Sequence, residues 1–154
     1  MSEATFRRWL VANKPNKSLI QPIETSTGSG IPDLFYCCQH GSCWIELKET
    51  ERTGCYMRVS QWLWFRKLRE ARGKGFLIIK RTRKKPNTID IYDVGSFLIT
   101  ACNELRKGKI VGQDIRFEKV QPTVSIEVGS GHEHFYYMLH KLMKKKKKGI
   151  ENED

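Results

Sequence analysis

Apolar positions recur at two different periods along this chain, one helical and one alternating, and the mixture predicts helices interleaved with strands. Helical spacing puts Phe6, Trp9 and Leu10 on one stripe over 3–12, with Ser2 or Glu3 opening the helix and Arg7 and Arg8 off the stripe. The same spacing aligns Gln61, Trp64, Phe65 and Leu68 over 61–72, between Ser60 as a cap and Gly73 as a stop. It returns in Phe135, Met138, Leu139 and Leu142 over 132–143, and a shorter helix is predicted over 97–107, after Ser96. Between these lie strand-like runs at 19–23, 34–38, 43–48 and 88–94. The run Gly-Phe-Leu-Ile-Ile-Lys at 75–80 is apolar without alternation, as a central strand covered on both faces requires. Two last runs, 115–120 and 123–128, flank Gln121-Pro122 and are predicted to form a hairpin. The fold class is therefore α/β, a mixed central sheet flanked by helices, with a C-terminal hairpin, helix and basic tail. One domain is expected over 1–143, with 144–154 a disordered charged tail.

The most informative pattern is the stretch 30–48, where two apolar arms flank Gln-His-Gly-Ser at 39–42. A turn centred between His40 and Gly41 sets Asp33 opposite Lys48 and Phe35 opposite Glu46. Because side chains alternate along a strand, Asp33, Glu46 and Lys48 then share one face, with the two carboxylates diagonal neighbours at roughly 7–8 Å between backbones. Leu34, Tyr36, Cys38, Cys43, Ile45 and Leu47 fill the other face without a charge among them. A loop of odd length would separate the two acids and remove the site.

Two carboxylates beside a lysine suit a hard divalent cation. Mg²⁺ keeps several waters, takes carboxylate oxygens and completes its shell with phosphate, so the trio points to phosphodiester hydrolysis. Net charge strengthens this direction. The chain carries 28 Lys and Arg against 17 Asp and Glu, a formal +11, which favours a polyanionic partner through counterion release. No apolar run is long enough to span a bilayer and no signal-peptide core opens the chain, so a soluble, intracellular protein of the cytoplasm or nucleoid is expected. Five cysteines without a secretory signal argue against a disulfide framework. Adjacent Cys37 and Cys38 point to opposite faces of a strand, which disfavours a zinc site built from them with His40 and Cys43. His132 and His134 likewise do not share a helix face.

Pro32-Asp33 followed by Glu46-Leu47-Lys48 resembles the signature of the PD-(D/E)XK nuclease superfamily. The surrounding Gly-Ile-Pro-Asp-Leu and Ile-Glu-Leu-Lys are most similar to its Holliday-junction-resolvase-like and virus-type replication-repair nuclease (VRR-NUC) branches. The resemblance covers about 3–81 and implies a restriction-endonuclease-like core. It also implies Mg²⁺, replaceable by Mn²⁺, held by Asp33, Glu46 and the backbone carbonyl of Leu47. An acid on a preceding element joins them, either Glu3 or Glu24; Lys48 positions the attacking water, and Gln61 supports the site. DNA is the implied partner, branched or otherwise structured, with no membrane partner. A homodimer is expected, because cutting a symmetric junction needs two sites related by a two-fold axis. Arg7, Arg8, Arg52 and Arg58 flank the site in sequence, and Lys144, Lys145, Lys146, Lys147 and Lys148 form a block suited to backbone phosphates. The alternatives are a non-catalytic nucleic-acid-binding module of the same fold, or an end-processing or restriction-type nuclease.

Overall fold

The computed structural model describes residues 3–24, 30–51, 54–82, 87–95, 110–111, 114–117 and 120–145. The chain runs α1 (Glu3–Ala12), β1 (Leu19–Pro22), β2 (Leu34–Cys38), β3 (Gly41–Thr50), β4 (Cys55–Arg58), α2 (Val59–Glu70), β5 (Gly75–Arg81) and β6 (Thr88–Asp93). It continues with β7 (Ile110–Val111), β8 (Asp114–Phe117), β9 (Val124–Glu127), a 3₁₀ turn (Val128–Ser130) and α3 (His132–Lys144). β1, β2, β3, β5, β6 and β9 form one mixed sheet in that order, and β4, β8 and β7 a smaller one. The helix predicted over 97–107 lies outside the described residues.

Alternation along β2 and β3 divides the protein into two cores. Leu34, Tyr36, Cys43, Ile45 and Leu47 point to one face, where α1 and α3 cover them with Phe6, Leu10, Phe135 and Leu139. Each fully buried side chain of that size contributes about 1.5–3 kcal/mol, enough for Phe6 and Leu10 to pin a ten-residue helix to the sheet. That anchoring fixes where Glu3, at the head of α1, is presented. On the opposite face Leu77 and Ile79 meet Trp62 and Phe65 of α2, with Cys55, Met57 and Ile115 from the small sheet. β5 is buried along its whole length, between β3 (parallel) and β6 (antiparallel), as its unbroken apolar run requires.

Three expectations are corrected. The β2–β3 turn is Gln39-His40, and the register pairs Phe35 with Trp44 where Glu46 was expected. A two-residue slip preserves parity, so the acids keep their common face and Asp33 comes level with Glu46 instead of diagonal to it. The runs at 115–120 and 123–128 do not pair with each other, since β8 joins β4 while β9 joins β6. The Thr123 N–H donates to the Ile91 carbonyl and the Asp93 N–H to Thr123 Oγ1, so the chain is bound to β6 before it can fold back on β8. Finally, α2 starts at Val59, ahead of Ser60, and its left-handed stop falls on Arg72 (φ 63°) instead of Gly73.

Candidate active site

Asp33 stands just before β2, Glu46 and Lys48 are on β3, and Gln61 is in the first turn of α2. The structure brings all four together. One Asp33 oxygen, Oδ2, accepts the Leu47 N–H at 2.9 Å, and the Asp33 carbonyl accepts the Ile23 N–H at 2.8 Å, which hold the acid at the end of the β2–β3 ladder. N–H and C=O of one strand residue point to the same edge, so the Leu47 carbonyl also faces the Asp33 side. Gly30 makes the approach possible. Its φ is +77°, and a Cβ there would lie 2.2 Å from the Ser60 carbonyl oxygen, so only glycine lets this segment pass so close to α2. Gly30→Ala is expected to cost about 2 kcal/mol or more, read as a drop in unfolding midpoint. An unchanged midpoint would mean that the contact with Ser60 relaxes freely.

Gln61 joins the helix to the acids. Its Oε1 accepts the Arg58 N–H (3.1 Å) and the Lys48 ammonium (3.3 Å), and both donors oblige the amide to turn its Nε2 to Glu46 Oε2 at 2.6 Å. Lys48 Nζ is 3.4 Å from the same Glu46 oxygen and 5.6 Å from the centre of the Tyr56 ring. Gln61 therefore serves its own helix as a capping side chain and the site as a bridge.

Glu46 is 2% exposed, and its pKa is pushed up to about 8, by burial first and the Asp33 charge second, with Lys48 opposing. Its Oε1 is buried and meets no hydrogen-bond donor while both acids are ionised, and a proton shared with the Asp33 carboxyl helps hold its pKa up. A carboxylate oxygen left so is a vacant acceptor, and a cation there would remove both the orphaned oxygen and the cost of ionising the group. Glu3 is exposed but coupled to the same cluster, its pKa raised by partial desolvation and then by Asp33, against Lys48 and Arg7. Among the described residues no three His, Cys, Asp or Glu side chains approach closely enough to hold an ion by themselves. The donor set present fits an ion that keeps waters and takes phosphate oxygens, and it does not fit a closed protein cage. The described cysteines, Cys37, Cys38, Cys43 and Cys55, are free thiols.

No protein-family model matches the chain, and no curated protein matches it. Its fold is similar to that of a Holliday junction resolvase. The solved structure is Hjc of Archaeoglobus fulgidus, described as from an archaeal hyperthermophile, with a TM-score of 0.52, 11% sequence identity, and coverage of 81% of this chain and 94% of that one. At that identity the likeness establishes the fold, a restriction-endonuclease-like mixed sheet flanked by helices.

The other sequence-predicted residues scatter. Arg7 is half-buried on α1, near enough to act on Glu3, and Arg8 is exposed. Arg58 is exposed at the head of α2, beside the site. Lys144 and Lys145 are exposed at the end of α3, where the Lys145 carbonyl accepts Lys74 Nζ at 3.2 Å, towards the hairpin turn and away from Glu46. Arg52, Lys146, Lys147 and Lys148 lie outside the described residues. Sequence reasoning missed Tyr56, whose ring lies under the Lys48 ammonium; its signal was the alternation Cys-Tyr-Met-Arg at 55–58, a short run between the polar stretch 49–54 and α2.

Proposed function

We propose that this protein is a divalent-metal-dependent endodeoxyribonuclease acting on branched or structured DNA in replication, recombination or repair. One observation carries the reading: Asp33 and Glu46 meet at the end of a hairpin with a buried, unbonded Glu46 oxygen, and Lys48 and Gln61 are bonded into the same cluster. Asp33, Glu46 and the Leu47 carbonyl would hold the ion, joined by Glu3, whose carboxyl feels the Asp33 charge, or by Glu24. Bound Mg²⁺, or Mn²⁺ in its place, supplies the electrophile for the phosphoryl oxygens and a water acidified for attack. Lys48 places a positive charge where negative charge develops, and Gln61 and Tyr56 restrain its ammonium. In-line attack by water would leave a 5′-phosphate and a 3′-hydroxyl, as the motif resemblance implies. Of the two branches the motif resembles, the fold likeness favours the resolvase-like one.

A cleavage panel of four-way junctions, flaps, duplex and single strands at one salt concentration, with and without Mg²⁺, tests the proposal. Metal-dependent nicking of the branched substrates is expected. Binding without cleavage on every substrate would leave the alternative, a nucleic-acid-binding module of the same fold. Light scattering at active concentrations should give the mass of two chains; a one-chain mass would remove the homodimer.

The lysine block gives a separate expectation. Replacing Lys144, Lys145, Lys146, Lys147 and Lys148 with alanine should weaken binding to all substrates alike and make its salt dependence shallower, because backbone contacts carry no sequence information. Unchanged affinity and slope would reduce the block to a solubilising appendage.

A further inference from the structure

At the far end of α2 from the acids there is a cleft of about 270 Å³, lined by residues that include His40, Ser42, Trp44, Arg72 and Lys74. Among the described residues its lining holds cations and no carboxylate. We propose that this cleft is a second phosphate-binding site, taking a backbone phosphate of DNA that is not cut.

Three independent features support the assignment. Arg72 holds φ at +63°, a conformation strained for a non-glycine residue, although a glycine stands next to it. The turn leaves Arg72 exposed at the cleft, beside Gly73, where a Cβ would press on the Leu68 side chain. Lys74 is half-buried there and its pKa is lowered, chiefly by desolvation, against the pull of Asp93 and Cys43. An ammonium in that state gains from an incoming anion. Lys74 Nζ also donates to the Lys145 carbonyl, which ties the cleft to the end of α3 and its basic residues.

The spacing suits a duplex arm. α2 has 12 residues and so spans about 18 Å, or about five base pairs of rise along one strand. Exposed Arg58 marks the end of α2 beside the acids, and exposed Arg66 and Lys67 lie between the two ends. The cleft would therefore meet the DNA backbone at a place separate from the acids, about 18 Å along α2. The inference takes its ligand, DNA, from the proposed function and is independent of cleavage.

Binding is therefore measured in EDTA, by titrating a fluorescent four-way junction and a duplex at several salt concentrations. Arg72→Ala/Lys74→Ala should lose about tenfold in affinity and lower the salt slope by about one, the share of one phosphate. Lys14→Ala/Lys17→Ala removes the same charge from exposed positions after α1 and should change affinity less than threefold. Arg72→Lys/Lys74→Arg keeps both charges and should bind like the parent, with unfolding midpoints confirming that each variant folds. Equal losses in the alanine pair and the control pair would overturn the site. So would a cleft that binds inorganic phosphate, lost in the alanine pair, while DNA affinity stays unchanged. A junction that binds through the cleft and is never cut with Mg²⁺ would sink the nuclease reading and leave this site standing.

Discussion

Asp33→Asn, Glu46→Gln and Lys48→Ala should each lower metal-dependent cleavage by about a thousandfold or more while leaving folding and DNA affinity nearly intact. The two amides keep the shape of the acids but withdraw the anionic oxygens an ion needs, Asp33 at the end of the ladder and Glu46 with its unbonded Oε1. Removing Lys48 takes a cation from beside Glu46 and from Gln61 Oε1, so charge developing on phosphate loses its nearest fixed partner. DNA affinity survives because most of it comes from basic residues outside the cluster, and a lost carboxylate relieves repulsion with phosphate. Raised Mn²⁺ should partly restore the two acid variants, since it binds such oxygen sites more tightly than Mg²⁺, and should restore Lys48→Ala much less. Full metal-dependent activity in either acid variant would return the hairpin to a charged turn on a binding domain.

The same buried carboxylate predicts a pH-dependent stability change. Glu46 has its folded pKa raised from an ordinary 4.5 to about 8, so below the ordinary value it is protonated in both states and contributes no difference. Between those values the unfolded chain releases the proton and the folded chain keeps it, so metal-free protein loses stability as pH rises, with the loss complete above about 8. Glu46→Gln lacks this loss. Its advantage over the parent should grow from near zero at pH 4 to on the order of 5 kcal/mol at pH 8.5, roughly 10–20 °C in unfolding midpoint for a domain of this size. Millimolar Mg²⁺ should raise the parent's midpoint at pH 8.5 and leave the variant's in place, because the ion binds the ionised, folded site. An advantage that does not vary with pH would show that Glu46 ionises normally in the folded chain. A site that destabilises its own scaffold until loaded is a familiar cost of function.

Much of this arrangement was legible in the residues alone, and the reasons are local. Period-two alternation through 33–38 and 43–48 placed Asp33, Glu46 and Lys48 on one face, and parity made that result survive a turn set two residues away from the expected one. Helical spacing located α1, α2 and α3 because each buries a stripe, Phe6 with Leu10 or Phe135 with Leu139 and Leu142, that only a 3.6-residue period aligns. The apolar run of β5 announced a strand covered on both faces. What depends on distant partners could not be read this way. Local pattern shows that 115–120 and 123–128 are strand-like, but whether they pair with each other or join separate sheets depends on β4 and β6, which lie far off in sequence. The same limit hid Gly30 against Ser60, Tyr56 beneath Lys48, and the coupling of Glu3 to Asp33. Each is a contact made only after helices and strands have docked, where burial and charge set the pKa of Glu46 and the sequence by itself supplies neither.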